Sequence, residues 1–196
     1  SGSVIFDDVD VCSLSETSLF PIRRRMGMLF QGGALFDSLN VEDNVAFSID
    51  QLGVATADER ARRVAELLEV VGLGGSQTTM PSDLSGGMRK RAALARSLAL
   101  DPEVMLYDEP TTGLDPVTGQ QINELIRALQ QRLGFTSVVV THDLSSAAFV
   151  ADRVAFLYDG RIREIGAVEE LRRNEDPVIR EFLSGGGALL KTESER

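Results

Sequence analysis

Two segments of this chain carry residue types suited to phosphate chemistry. Leu84-Ser85-Gly86-Gly87-Met88 stands where a loop gives way to a helix. Its serine can cap the helix. Its glycines bare backbone N–H groups at the positive end of the helix dipole, which suits the close approach of a phosphate. A capping serine followed by two flexible glycines is the plainer reading. Arg89, Lys90 and Arg91 tilt the balance, because cations in a helix's first turns oppose its dipole unless an anion sits nearby. Ser85, Gly86 and Gly87 therefore read as an anion cradle.

The second segment is the apolar run Val104-Met105-Leu106-Tyr107 followed by Asp108-Glu109. The acids leave a buried strand at its carboxyl end, where α/β sheets place their ligands. A turn bearing two solvated acids is the alternative. In phosphoryl transfer Asp108 would hold Mg²⁺, directly or through water, and Glu109 would accept a proton from the attacking water. Pro110 and the turn Thr112-Gly113-Leu114-Asp115 would fix where that strand end points.

His142, the only histidine, follows Val138-Val139-Val140-Thr141 in the same manner. A lone histidine is commonly structural, but an imidazole at a strand end can donate a hydrogen bond to a terminal phosphate. Gln31 follows Met28-Leu29-Phe30. Alone it says almost nothing; as a third strand end on one rim it can reach Mg²⁺ or the attacking water.

The elements that must position these groups are legible from period and punctuation. Ser3 to Phe6 is β-prone, with Asp7-Asp8 as a turn, and Met26 to Phe30 is a buried strand. Val41 to Leu52 and Ala57 to Val71 read as helices, the second stopped by Gly72 or Gly74. Gly86 to about Leu100 is helical and Val104 to Tyr107 a buried strand. Pro116 opens a helix that runs to Leu133-Gly134. Thr136 to Val140 is a further buried strand, and Leu144 to Ala151 a short helix. Val154 to Tyr158 and Arg161 to Ile165 flank the hairpin signal Asp159-Gly160. Val168 to Arg173 and Pro177 to Phe182 are closing helices. Strands alternating with helices imply an α/β fold with a mostly parallel sheet covered on both faces. The expected division places a sheet core at 1–33 and 101–166, an inserted helical sub-domain at 34–100, closing helices at 167–184 and a flexible tail at 185–196.

Bulk properties exclude several classes. The chain of 196 residues is 43% hydrophobic and 26% charged, with one cysteine and one histidine, so a dedicated Cys/His metal site is excluded. No run of about 18 apolar residues is present, so no segment of its own spans a membrane, and no secretion signal opens the chain. The net charge of −10 argues against a generic nucleic-acid binder. The basic runs Arg23-Arg24-Arg25 and Arg89-Lys90-Arg91 read as solvated faces.

In this order the motifs resemble those of ATP-binding cassette (ABC) ATPases, members of the P-loop NTPase class. Gln31 matches the Q-loop, Leu84 to Met88 the signature and Val104 to Glu109 the Walker B strand. Gly113-Leu114-Asp115 matches the D-loop and His142 the switch histidine. No G-x-x-x-x-G-K-[ST] phosphate loop occurs in these residues. In the family that loop and its strand precede the segment resembling Ser1 to Phe6, so the resemblance implies a truncated cassette that by itself binds ATP weakly. The family's missing strand lies between those resembling Thr136–Val140 and Val154–Tyr158, which leaves each with an open side.

The segment Met26 to Phe36, Leu39-Asn40-Val41, Asn44-Val45-Ala46, a signature ending in Met88, and Arg91 to Arg96 resemble the ATPase subunit of bacterial lipid transporters of the Mla type. That resemblance implies an ATPase with ATP and Mg²⁺ as cofactors, sandwiching ATP in a homodimer and bound to a transmembrane permease at the inner face of the bacterial plasma membrane. Gln31, Asp108, Glu109, His142 and Asp115 would serve nucleotide sites, with Gln31 and Asp108 at the metal. Ser85-Gly86-Gly87 would reach the nucleotide on the partner. Gly32 to about Asp50, with Leu35, Phe36, Leu39 and Phe47, would face the permease or else fill the helical core. DNA-repair relatives carry coiled-coil or zinc insertions, and translation-associated ones carry two cassettes and a basic linker; this chain has neither. A non-catalytic interaction module is the competing reading for a chain without the phosphate loop.

Overall fold

The computed structural model describes residues 2–185. They form two compact units, one up to Val138 and one from Val139. The expected tail at 185–196 lies outside the described residues except for Gly185, which ends the last helix.

The first unit opens with a hairpin of β1 (Ile5–Phe6) and β2 (Val9–Asp10). Its turn places Asp7 and Asp8 at φ 52° and 63°, a left-handed pair that aspartate tolerates better than most residues. The sequence shows the turn but not the second strand, since two residues are too few to display alternation. It also hides α1 (Glu16–Arg23), a short helix capped by Ser15 and containing Pro21, a residue that argues against helix in pattern reading.

β3 (Met26–Leu29) pairs in parallel with β4 (Val104–Asp108). The residue that allows this sheet to sit close to the helix behind it is Gly27. A Cβ there would stand 2.3 Å from Met105 Sδ and 2.5 Å from the Ser97 carbonyl. The helical part consists of α2 (Val41–Leu52), α3 (Ala57–Val70) and α4 (Gly86–Ser97). Asn40 caps α2 through the Asp43 N–H, and Gly53 at φ 58° ends it. A Thr56–Glu59 capping box starts α3. Both helices pack on α4. Val45, Ile49, Val64, Leu67, Leu68 and Leu94 are buried there, each contributing roughly 1.5–3 kcal/mol by leaving water. Arg60 clasps α2 to α3 by pairing with Glu42, Asp43 and Asp50 at 2.8 Å.

α5 (Pro116–Leu133) follows β4 and contacts α4. β5 (Thr136–Val140) comes next to β4, giving the strand order β3-β4-β5. The expected burial of this strand is corrected: Val138 and Val140 are 51% and 60% exposed. β5 ends the strand order among the described residues, so one side of its backbone has no neighbouring strand there.

The second unit holds α6 (Leu144–Val150), the antiparallel hairpin β6 (Val154–Tyr158) and β7 (Arg161–Gly166), α7 (Val168–Arg173) and α8 (Pro177–Gly185). Asp159 and Gly160 turn the hairpin at φ 48° and 70°. Phe156, Leu171, Ile179 and Leu183 form its core, and Arg163 pairs with Asp176 at 2.9 Å.

Candidate functional site

Register decides which strand ends meet. Leu29 pairs with Tyr107 across the parallel β3–β4 ladder. Gln31 and Glu109 each lie two residues further on, so both emerge at the same carboxyl rim, with Asp108 closing β4. The hydrogen bonds agree. The Lys90 ammonium, 5% exposed on α4, donates to the backbone carbonyl of Gln31 and, at 3.2 Å, to that of Glu109. Burial pulls Lys90 below the usual lysine range, and the nearby charges of Asp108 and Glu109 act against that shift.

Glu109 sits at φ 46°, a left-handed backbone that costs a non-glycine residue free energy and is held by its surroundings. Its carboxylate Oε2 accepts a hydrogen bond from Thr112 Oγ1 at 2.9 Å, and its carbonyl accepts one from the Thr112 N–H at 3.3 Å. The residue is thus fixed at both ends. A carboxylate so oriented, beside a second one at a strand end, suits the activation of a water.

Ser85 caps α4 by accepting the Met88 N–H at 3.2 Å. The glycines after it have an internal reason: a Cβ on Gly87 would meet Thr118 Cγ2 at 2.6 Å, and one on Gly86 would meet Leu114 Cδ2 at 3.2 Å. The start of α4 therefore packs tightly on the turn before α5 and on its first residues. The basic run makes backbone contacts of its own. Arg89 donates to the Leu84 carbonyl at 2.7 Å, Arg91 to Val71 at 2.9 Å, and Lys90 to Gln31 and Glu109. These cations hold backbone carbonyls, and of the three Arg89 is exposed, Lys90 buried and Arg91 half-buried. In the other basic run, Arg25 pairs with the carboxylates of Glu103 and Asp7 while Arg23 and Arg24 are exposed.

Asp115 is the N-cap of α5. It accepts from the N–H groups of Val117 and Thr118 at 3.1 and 3.0 Å. Hydrogen bonds from Thr118, side chain first, hold its carboxyl below the ordinary range. His142 is exposed on the segment after β5, in the second unit. Beside it Asp143 caps α6, accepting from the Ser145 N–H at 2.9 Å.

The contacts of three residues of this region escape a reading of the sequence: Lys90, Thr112 and Asn44. A signal for Lys90 exists, since it falls at helical spacing between Gly87 and Leu94 on the buried face of α4. Asn44, fully buried, accepts from the Phe36 N–H and donates toward the carbonyls of Phe36, Leu39 and Asn40. It pins the loop that continues from Gln31. Beside that loop Met28, Phe30, Phe36, Phe47 and Arg96 line a groove of about 470 Å³. Arg96 holds its floor by donating to the Gly33 and Ala34 carbonyls.

No group of three or more His, Cys, Asp or Glu side chains able to cage a metal occurs among the described residues. A Mg²⁺ shared with phosphates needs only one or two carboxylates, and Asp108 beside Glu109 meets that requirement. No helix among the described residues is long and apolar enough to cross a membrane.

Comparison with known proteins shows the family. Residues 1–112 match the ABC transporter family. The intermembrane phospholipid transport ATP-binding protein MlaF of Haemophilus influenzae is 43% identical over 184 residues, 94% of this chain and 70% of that protein. MlaF of Escherichia coli K12 is likewise 43% identical, over 68% of its length. A probable ribonucleotide transport ATP-binding protein, mkl of Mycobacterium leprae, is 41% identical over 53% of its length. Among solved structures, the dimeric ATP-binding cassette MJ0796 bound to ADP and Pi superposes with a TM-score of 0.76 at 34% identity, covering 86% of this chain and 74% of that one. Part of the transporter complex cbiONQ, cbiO1 of Clostridium perfringens, gives a TM-score of 0.81 at 31% identity, covering 92% and 71%. The fold is that of the P-loop NTPase class in its ABC ATPase form, and the chain belongs to the ABC transporter family as one of its ATP-binding subunits.

Proposed function

We propose that this chain serves in the ATP-hydrolysing subunit of an ABC transporter that moves phospholipid. The observation that carries the reading is the rim where Gln31, Asp108 and Glu109 meet, with Glu109 fixed at both backbone and carboxylate. The likeness to MlaF supports phospholipid as the cargo class.

Asp108, with Gln31, would hold Mg²⁺, which when bound supplies charge stabilisation at the terminal phosphates. Glu109 accepts the proton of the attacking water. Its Thr112 bond fixes the orientation of the carboxylate. His142 donates a hydrogen bond toward the γ-phosphate, and Asp115 orders the turn at the nucleotide. Ser85, Gly86 and Gly87 present the start of α4 to the ATP held by a second copy, so the working unit is a homodimer with nucleotide between its subunits. The dimeric cassette bound to ADP and Pi supports that arrangement. A membrane permease would seat a short helix in the groove beside Phe36, holding the subunit at the inner face of the membrane. Closure on ATP and opening after hydrolysis would then be felt by the permease through the Gln31 loop.

The test is Glu109→Gln in the complete gene product. ATP binding is expected to persist while turnover falls by roughly a hundredfold or more, as for loss of a general base. A turnover rate near that of the unaltered protein would overturn the assignment.

A further inference from the structure

Lys90 is almost wholly buried, close to the charges of Asp108 and Glu109. Its ammonium donates to two main-chain carbonyls from different strand ends, those of Gln31 and Glu109. A charge taken out of water is costly unless its donors are well used. Simple packing would be met at lower cost by a methionine or leucine, as Leu94 one turn on shows. The two carbonyls belong to peptides whose side chains matter most at the rim, and one of those residues is held in a left-handed conformation. Rotating the Glu109 peptide out of that conformation would swing its carboxylate away from Thr112. The same α4 begins at Ser85-Gly86-Gly87, about one turn before Lys90.

We propose that Lys90 is a positioning residue that pins the Gln31 and Glu109 peptides to the signature helix, so that displacement of Ser85-Gly86-Gly87 is transmitted to the catalytic carboxylate. The proposal rests on the reading of Gln31 and Glu109 as nucleotide-site residues. In it the helix that meets one nucleotide also sets the hydrolytic geometry of the other, through a single side chain. An ammonium can satisfy both carbonyls at once because it carries three donors. An apolar side chain of similar length, which has no donor, cannot.

Lys90→Met and Lys90→Arg in the complete gene product test it by two readouts. The first is amide hydrogen exchange, which needs no activity. Lys90→Met is expected to speed exchange in peptides covering residues 31–33 and 109–114 by roughly tenfold or more, the scale of a lost hydrogen bond to a charged donor. Exchange in α2 and α3 is expected to stay as it was, and arginine, which keeps charge and donors, to restore most of the protection. The second readout is ATP hydrolysis, where kcat is expected to fall by roughly ten- to a hundredfold with KM little changed, as a misplaced group costs rate rather than ground-state binding. Unchanged exchange at both segments overturns the proposal. So does exchange that rises throughout the helical part, which would mark mere packing, or a kcat that does not respond. Should Lys90→Met fail to fold, Lys90→Leu, which likewise has no donor, carries the same comparison. Absence of hydrolysis in the unaltered protein would count against the ATPase reading, while the exchange data would still decide whether Lys90 is the pin.

Discussion

Thr112 Oγ1 donates to Glu109 Oε2 at 2.9 Å, so the residue after the strand end and the one three places on form a closed turn. The contact fixes which way the carboxylate faces. Thr112→Val keeps the β-branched shape and removes the donor. Steady-state ATP hydrolysis by the complete gene product is expected to fall by about tenfold, the scale of one hydrogen bond in a preorganised site. ATP affinity should hold. Thr112→Ser, which retains the hydroxyl, is expected to stay near the original rate, and equal losses in both variants would break the argument.

The packing of α4 against the start of α5 makes a second expectation specific to one methyl group. Gly87→Ala would bring a Cβ to 2.6 Å from Thr118 Cγ2, and overpacking of this kind costs about 1–3 kcal/mol. Thr118→Ser removes that methyl while keeping the hydroxyl. In the serine background Gly87→Ala should be close to neutral, because alanine is the better helix former. Denaturant unfolding of the two singles and the double gives the coupling. Purely additive losses would show that the close approach is not what requires glycine.

How far the sequence announces this arrangement follows from which signals are local. Asp108-Glu109 and Gln31 are legible because an apolar run followed by polar residues marks a strand end whatever the rest of the fold does. The meeting of Gln31 with Glu109 depends on the β3–β4 register, which no local pattern contains. The separate contacts of Arg89, Lys90 and Arg91 are hidden for a geometric reason: adjacent residues on a helix point about 100° apart. One run of charge therefore supplies three different backbone contacts. The left-handed backbone of Glu109 is invisible in the sequence, since nothing in its side chain calls for φ above zero. The capping role of Ser85 is legible, whereas the reason for Gly87 lies in Thr118, far along the chain.

Acid should unfold the protein from the carboxylates that cap its helices. Glu59 is held low by its bonds to Thr56, Asp115 by Thr118, and Asp176 by the Val178 N–H and Arg163. Their folded values lie below the ordinary 4.5, 3.8 and 3.8. Each therefore stabilises the fold above its ordinary value, and that contribution is lost as the pH falls through the folded one. The urea midpoint is expected to change little from about pH 7 to 5 and to drop below about 4.5. Asp115→Asn keeps a cap that cannot titrate and should flatten part of that drop. An identical acid slope in the variant would remove Asp115 from the account.

The groove lined by Phe30 and Phe36 gives the last expectation. Phe36 stacks on Phe47 with ring centroids 4.5 Å apart and lies under the Arg96 guanidinium, yet remains 42% exposed. Phe30 is 45% exposed on the same groove. Exposed aromatic rings gathered in one concave place are what an amphipathic helix of a partner requires. The competing view, that this segment only fills the helical core, fits Leu35, Leu39 and Phe47, which are half-buried. Phe30→Asp and Phe36→Asp, made singly in the complete gene product, place a charge where an apolar helix side would dock. Both are expected to fold, since neither ring is buried, and to lose co-purification with the membrane permease by about tenfold or more, the scale of a hot-spot aromatic. If both variants keep their unfolding midpoints and still bring down the permease at full yield, the permease docks elsewhere and the groove serves the subunit alone.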